Sequence, residues 1–147
     1  MNATGKLVAL AIAIVAGSTP AGLLAQTFRP AGEKPAGVQT GTASWYGHKH
    51  QGRRTASGQP FDPRSPTAAH KTLPLGTVVR VTNLKTGQSA KVRVNDRGPY
   101  VPGRIIDLSA AASKALGMTK SGIAPVRIEV FASDQKQRRA ETLLTRH

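Results

Sequence analysis

Apolar and polar residues alternate most regularly from Thr77 to Asn83 and again from Gln88 to Val94, the period of a half-buried strand. Leu84-Lys85-Thr86-Gly87 joins the two runs, so the pair reads as a hairpin with valines turned inward. On that reading Arg80, Lys91 and Arg93 lie on the solvent face. Arg104 to Leu108 and Pro125 to Phe131 give two more strands, and Thr40 to Gly47 gives an early one ending in glycine. Thr67-Ala68-Ala69-His70 suggests a short helical turn. Ser109 is suited to cap a helix over Ala110 to Leu116, closed by Gly117. These elements mark an ordered, mostly β domain over residues 39–131 with one real helix. The rest of the chain lacks the pattern. Residues 27–38, with Pro30 and Pro35, read as a flexible linker, and residues 132–147 read as a charged tail, mobile or weakly helical.

The first 26 residues resemble a secretory signal peptide. Lys6 provides the positive start, Leu7 to Gly17 is an apolar run too short to span a bilayer, and Leu23-Leu24-Ala25 offers a cleavage site. The expectation is export, with no stable membrane insertion once the signal is removed. A net charge of +14 then favours anionic partners such as nucleic acid, acidic lipid or cell-wall polymers. Nucleic acid ranks last: there are six aromatic residues, no recognition motif, and export works against it. The absence of cysteine excludes a disulfide framework, a thiolate nucleophile, a cysteine-zinc site and a lipid-modified cysteine.

Candidate chemistry gathers around Val94-Asn95-Asp96-Arg97-Gly98-Pro99, where a strand runs into a tight turn. On spacing alone, Asp96 serves equally as a functional acid or as an acceptor of turn amides paired with Arg97. Its rivals in the domain read as structural. Asp62 belongs to a local turn, Asp107 accepts near the start of the helix, and Glu129 is a solvated strand residue. By elimination Asp96 is the strongest candidate acid. His70 is either a core hydrogen-bonding group or an active-site donor. His48 and His50 lack a third metal ligand, and no Gly-x-Ser-x-Gly elbow is present. The long irregular segment from His48 to Pro66 has the length of a functional loop.

Several ordered motifs resemble the rare lipoprotein A (RlpA) family: Gly41-Thr-Ala-Ser-Trp-Tyr-Gly47, Thr55-Ala-Ser-Gly58, Thr67-Ala-Ala-His-Lys-Thr-Leu-Pro74, Val92-Arg-Val-Asn-Asp-Arg-Gly-Pro99 and Gly103-Arg-Ile-Ile-Asp-Leu-Ser109. The resemblance implies a six-stranded double-psi β-barrel with one or two short helices. It also implies an endolytic lytic transglycosylase that acts on peptide-stripped peptidoglycan strands, needs no cofactor or metal, and works beside the cell-division machinery. By that resemblance Asp96 and His70 take the catalytic positions and Gln59 the place of a further active-site carboxylate. Gln59, Tyr46, Arg97 and Arg104 are the expected substrate contacts. The basic residues Arg53, Arg54, Lys71, Arg97 and Arg104 read equally as the lining of a groove or as a solvated face. The family's glutamate after Thr-Ala-Ser-Gly is replaced here by Gln59, which cannot ionise. A non-catalytic, expansin-like glycan-binding barrel is therefore the alternative. Without a lipobox cysteine, the implied location is periplasmic or extracellular, and the protein is not a lipoprotein.

The expected reaction needs one acid. It protonates the glycosidic oxygen and then, as a carboxylate, takes the proton of the muramic acid C6 hydroxyl as that oxygen attacks C1. Asp96 would have to start protonated, with Arg97 directed away from it.

Overall fold

The computed structural model describes residues 32–46 and 50–146. The proposed signal peptide, residues 27–31 of the proposed linker and His48 lie outside them. Six strands, β1 (Gly37–Trp45), β2 (Thr67–His70), β3 (Val78–Asn83), β4 (Ser89–Asp96), β5 (Arg104–Leu108) and β6 (Ile123–Val130), close into a barrel in the order β1-β5-β2-β4-β3-β6. Helix α1 (Ala110–Ala115) follows β5, and helix α2 (Ala132–Leu144) follows β6. The barrel mixes two parallel pairings, β1 with β5 and β2 with β4, with four antiparallel ones.

The hairpin forms as the alternation requires. Val79, Val81, Val92 and Val94 are inaccessible and meet Ile106, Leu108, Val126 and Ile128 inside the barrel. Each such side chain contributes about 1.5–3 kcal/mol by leaving water. Ser109 caps α1 by accepting from Ala112 N at 3.3 Å, and its hydroxyl also accepts from Thr67 N. One glycine is required by packing: a Cβ on Gly41 would meet the Ile105 side chain at 2.7 Å, so β1 can approach β5 only without one.

Three expectations are corrected. Thr67–His70 is not a helical turn but the fully buried strand β2, wedged between β4 and β5. Small alanines have no strong strand preference, and two neighbouring strands with free hydrogen-bonding edges decide the matter. Order begins before Gln39: Gly37 and Val38 pair with β6, and Ala36 N donates to Val130 O at 2.7 Å. The charged tail forms the 13-residue α2, docked on the barrel. Asp134 is 4% exposed, accepting from Arg80 at 3.0 and 3.2 Å and from Lys91 at 2.8 Å. Gln135 brackets Val78, accepting from its N–H at 2.9 Å and donating to its carbonyl at 2.6 Å. Arg80 and Lys91 are thus half-buried, paired cations rather than freely solvated ones, and Arg80 also lies 5.3 Å over the Phe131 ring. The start of α2 has no cap of its own. Glu33, from the segment before β1, accepts from Ser133 N at 3.0 Å and from its hydroxyl at 2.5 Å.

Candidate active site

The end of β4 carries Asp96 to the mouth of the barrel. Its pairing with β2 skips one residue, passing from Ala68↔Val94 to Ala69↔Asp96. The pairing of β1 with β5 skips likewise, from Thr42↔Arg104 to Ala43↔Ile106. Such irregularities raise local twist and re-aim side chains. Ala69 is the register partner of Asp96 on one side and of Asp107 on the other. The two aspartates therefore flank a single strand, about 10 Å apart at Cα from the usual strand spacing. Both line one cavity of about 490 Å³ with Tyr46, His50, Arg53, Arg54, Thr55, Phe61, Arg97, Gly98, Pro99, Tyr100, Val101 and Arg104.

Asp96 is held on one side. Its Oδ1 accepts from Ala56 N at 3.0 Å and from Arg97 N at 2.9 Å, while Oδ2 has only a long 3.5 Å contact from the Tyr46 hydroxyl. The Ala56 amide comes from the turn Thr55-Ala56-Ser57-Gly58, which is closed by Gly58 N to Thr55 O at 2.9 Å and docked by Ser57 N to Asn95 O at 3.0 Å. This turn presents its amide to the acid. Gln59 ends it: its carbonyl accepts from Thr55 N and from the Thr55 hydroxyl, and its side chain is exposed and absent from the cavity wall.

The Arg97 guanidinium is directed away from Asp96, donating to His70 O at 3.1 Å and Leu73 O at 2.6 Å. No ion pair joins it to Asp96. Gly98, at φ 126°, lets the chain turn sharply after it. Tyr46 packs edge-on against Phe61 with ring centroids 5.2 Å apart. Burial, then the charges of Asp96 and Asp107, push its ionisation far up, so it remains a hydroxyl donor.

His70 stands behind the cavity and does not line it. Nδ1 accepts from Thr72 N and Leu73 N, each at 3.1 Å, so Nε2 carries the proton and donates to Gln39 at 2.9 Å. Burial, followed by the charges of Arg97 and Lys71, lowers its pKa below the ordinary 6.5. The unfolded chain therefore takes up a proton that the folded one refuses, and stability falls as pH drops below that value. Urea unfolding between pH 7.5 and 5 is expected to show this loss, with a flatter profile in His70→Gln. An equally steep profile in the variant would assign the effect elsewhere.

Sequence reasoning set aside Asp107 as an acceptor near the helix. It lies within β5, accepts a hydrogen bond from the Ser44 hydroxyl, and faces the same cavity as Asp96. Tyr100, 79% exposed on the cavity wall, was also passed over. Asp62 behaves as read, accepting from Arg64 N at 2.9 Å within its turn. Glu129 is half-buried and paired with Arg127 at 3.4 Å. A second cavity of about 430 Å³ lies beneath α2, but its buried carboxylate, Asp134, is already paired with two cations.

Comparison with known proteins agrees with this fold. Residues 38–128 match the double-psi β-barrel family described as lytic transglycolase. The chain belongs to the RlpA family of that group. It is 51% identical over 112 residues to the endolytic peptidoglycan transglycosylase RlpA of Pseudomonas aeruginosa, an alignment covering 76% of this chain and 33% of that protein. Against the Neisseria meningitidis RlpA, identity is 52% over 104 residues, covering 71% of this chain and 44% of the relative. Against the probable RlpA of Synechocystis it is 54% over 93 residues, covering 63% and 29%. The chain thus spans less than half of these RlpA proteins. Among solved structures, the barrel is similar to the Streptomyces papain inhibitor (TM-score 0.52, 26% identity, 65% of this chain and 94% of that one). It is also similar to an expansin of Clavibacter michiganensis (TM-score 0.50, 28% identity, 65% and 50%).

Proposed function

We propose that this barrel cleaves peptidoglycan glycan strands as a lytic transglycosylase, with Asp96 as its acid and base. The observation that carries the reading is Asp96 itself: one oxygen is fixed by two backbone amides and the other has only a long contact, at the wall of an open cavity. Protonated in the reactive complex, Asp96 gives its proton to the oxygen of the bond between muramic acid and glucosamine, and that bond breaks. The resulting carboxylate takes the proton from the muramic acid C6 hydroxyl, whose oxygen bonds to C1 and closes a 1,6-anhydro ring. No water enters. Asp107, across β2, supplies negative charge toward the developing oxocarbenium ion, and the Tyr46 hydroxyl donates to Asp96 or the sugar. His70 acts as a positioning residue, because its carbonyl, with that of Leu73, draws the Arg97 guanidinium off the acid.

Gln59 is compatible with this scheme, since its side chain lies outside the cavity wall and one acid suffices. Export and a place beside the division machinery belong to the same reading. The test is to incubate the purified protein with peptide-stripped peptidoglycan and identify the soluble products by mass spectrometry. Products ending in 1,6-anhydromuramic acid are expected. Strands bound but left intact would make this a glycan-binding barrel.

A further inference from the structure

The cavity holds four arginines and two aspartates, yet among the described residues no ion pair joins any of them. Neutral donors keep the charges apart. Asp96 is held by amides and Tyr46, and Asp107 by the Ser44 hydroxyl. The arginines divide by role. Arg97 is committed to two backbone carbonyls, and Arg53 contacts His50 Nδ1 at 3.3 Å. Arg54 and Arg104 make no side-chain hydrogen bond to any described residue, although both line the cavity and Arg104 is half-buried. Guanidinium groups kept from the carboxylates of their own cavity are available to an anion brought by a ligand.

The substrate class carries such an anion. Each muramic acid bears an ether-linked lactyl group. Its carboxylate is charged when free and neutral when converted to an amide, whereas glucan and chitin chains have no charge there. Resting on the glycan reading of the cavity, we propose that Arg54 and Arg104 recognise the lactyl carboxylate of muramic acid. The guanidinium fork matches a carboxylate with two parallel hydrogen bonds, fixing where along the strand the sugar sits relative to Asp96. The arginine pair is then a specificity determinant that distinguishes muramic acid from an uncharged sugar of the same size.

Binding and cleavage are measured separately. Peptide-stripped strands with free lactyl carboxylates are compared with the same strands coupled to methylamine, which removes the charge and leaves the sugar backbone. Binding is followed calorimetrically in the Asp96→Asn protein, alone and with Arg54→Gln plus Arg104→Gln. Lys120→Gln controls for the general basic charge, since Lys120 is exposed and outside the cavity wall. The free strand is expected to bind about 10- to 100-fold more tightly than the methylamide, as charge-assisted pairs do. The double arginine variant should bind both forms at the weaker level, and Lys120→Gln should keep the preference. Equal binding of the two strands, or a preference that survives loss of both arginines, would overturn the proposal. Cleavage by the otherwise unaltered protein separates the two ideas. Equal cleavage of both strands would sustain the enzyme and sink the arginine pair. Charge-selective binding without cleavage would do the reverse.

Discussion

Asp96→Asn is expected to lower glycan cleavage by about a thousandfold or more while leaving strand binding and the fold in place. Removing a positioned acid or base ordinarily costs about 10²–10⁴ in rate, and here a single carboxylate serves both proton transfers. The asparagine carbonyl can still accept from Ala56 N and Arg97 N, the contacts that hold Oδ1. What disappears is the oxygen near Tyr46 that gives and takes the proton. Release of 1,6-anhydro ends measures the first expectation, and calorimetry with intact strands measures the second. Equal turnover in variant and parent would remove Asp96 from the mechanism and turn attention to Asp107, the other carboxylate in the cavity.

The largest stability effect is expected far from that cavity. Asp134→Ala strips one buried carboxylate from two cations, Arg80 and Lys91, whose side chains are 25% and 23% exposed. Breaking a fully buried pair costs about 3–5 kcal/mol. Partial hydration of the stranded cations reduces this to about 2–3 kcal/mol, or roughly a 10 °C fall in Tm for a domain of this size. Burial works against the Asp134 charge, but the hydrogen bonds and charges of Arg80 and Lys91 outweigh it and hold its pKa below the ordinary 3.8. Its contribution is therefore complete above that value and fades as pH falls below it. Asp62→Ala is the matched control, since Arg64 and Asp62 are 85% and 41% exposed in their side chains. That change should move the urea midpoint little, because exposed pairs contribute about 0–1 kcal/mol. Equal effects of the two substitutions would mean that α2 is not clamped by its aspartate.

Those two aspartates show where reading the chain succeeds and where it stops. Asp96 was legible because its position follows from local rules: an alternating strand, then a polar turn with glycine and proline. The hairpin of β3 and β4, the β5 and β6 strands, and the Ser109 cap were legible for the same reason, since period and capping are written in neighbouring residues. Asp134 was not. α2 is held by a buried ion pair, by Gln135 on the Val78 backbone and by a cap borrowed from Glu33, none of which leaves an apolar period. A hydrophobic pattern cannot report a helix anchored through polar groups.

By itself, then, the sequence determined the strands whose alternation encodes an inward face, the helix between Ser109 and Gly117, and the strand-end acid. Its motifs also carried the family. The tertiary structure alone decided that Thr67–His70 is a strand, because only β4 and β5 on either side supply its partners. It also decided that Asp107 shares a cavity with Asp96, because β2 places Ala69 between two residues that are eleven positions apart in the chain. Arg97 was settled in the same way. Which acceptors its guanidinium reaches depends on where the end of β2 leaves the carbonyls of His70 and Leu73, and barrel closure fixes that position.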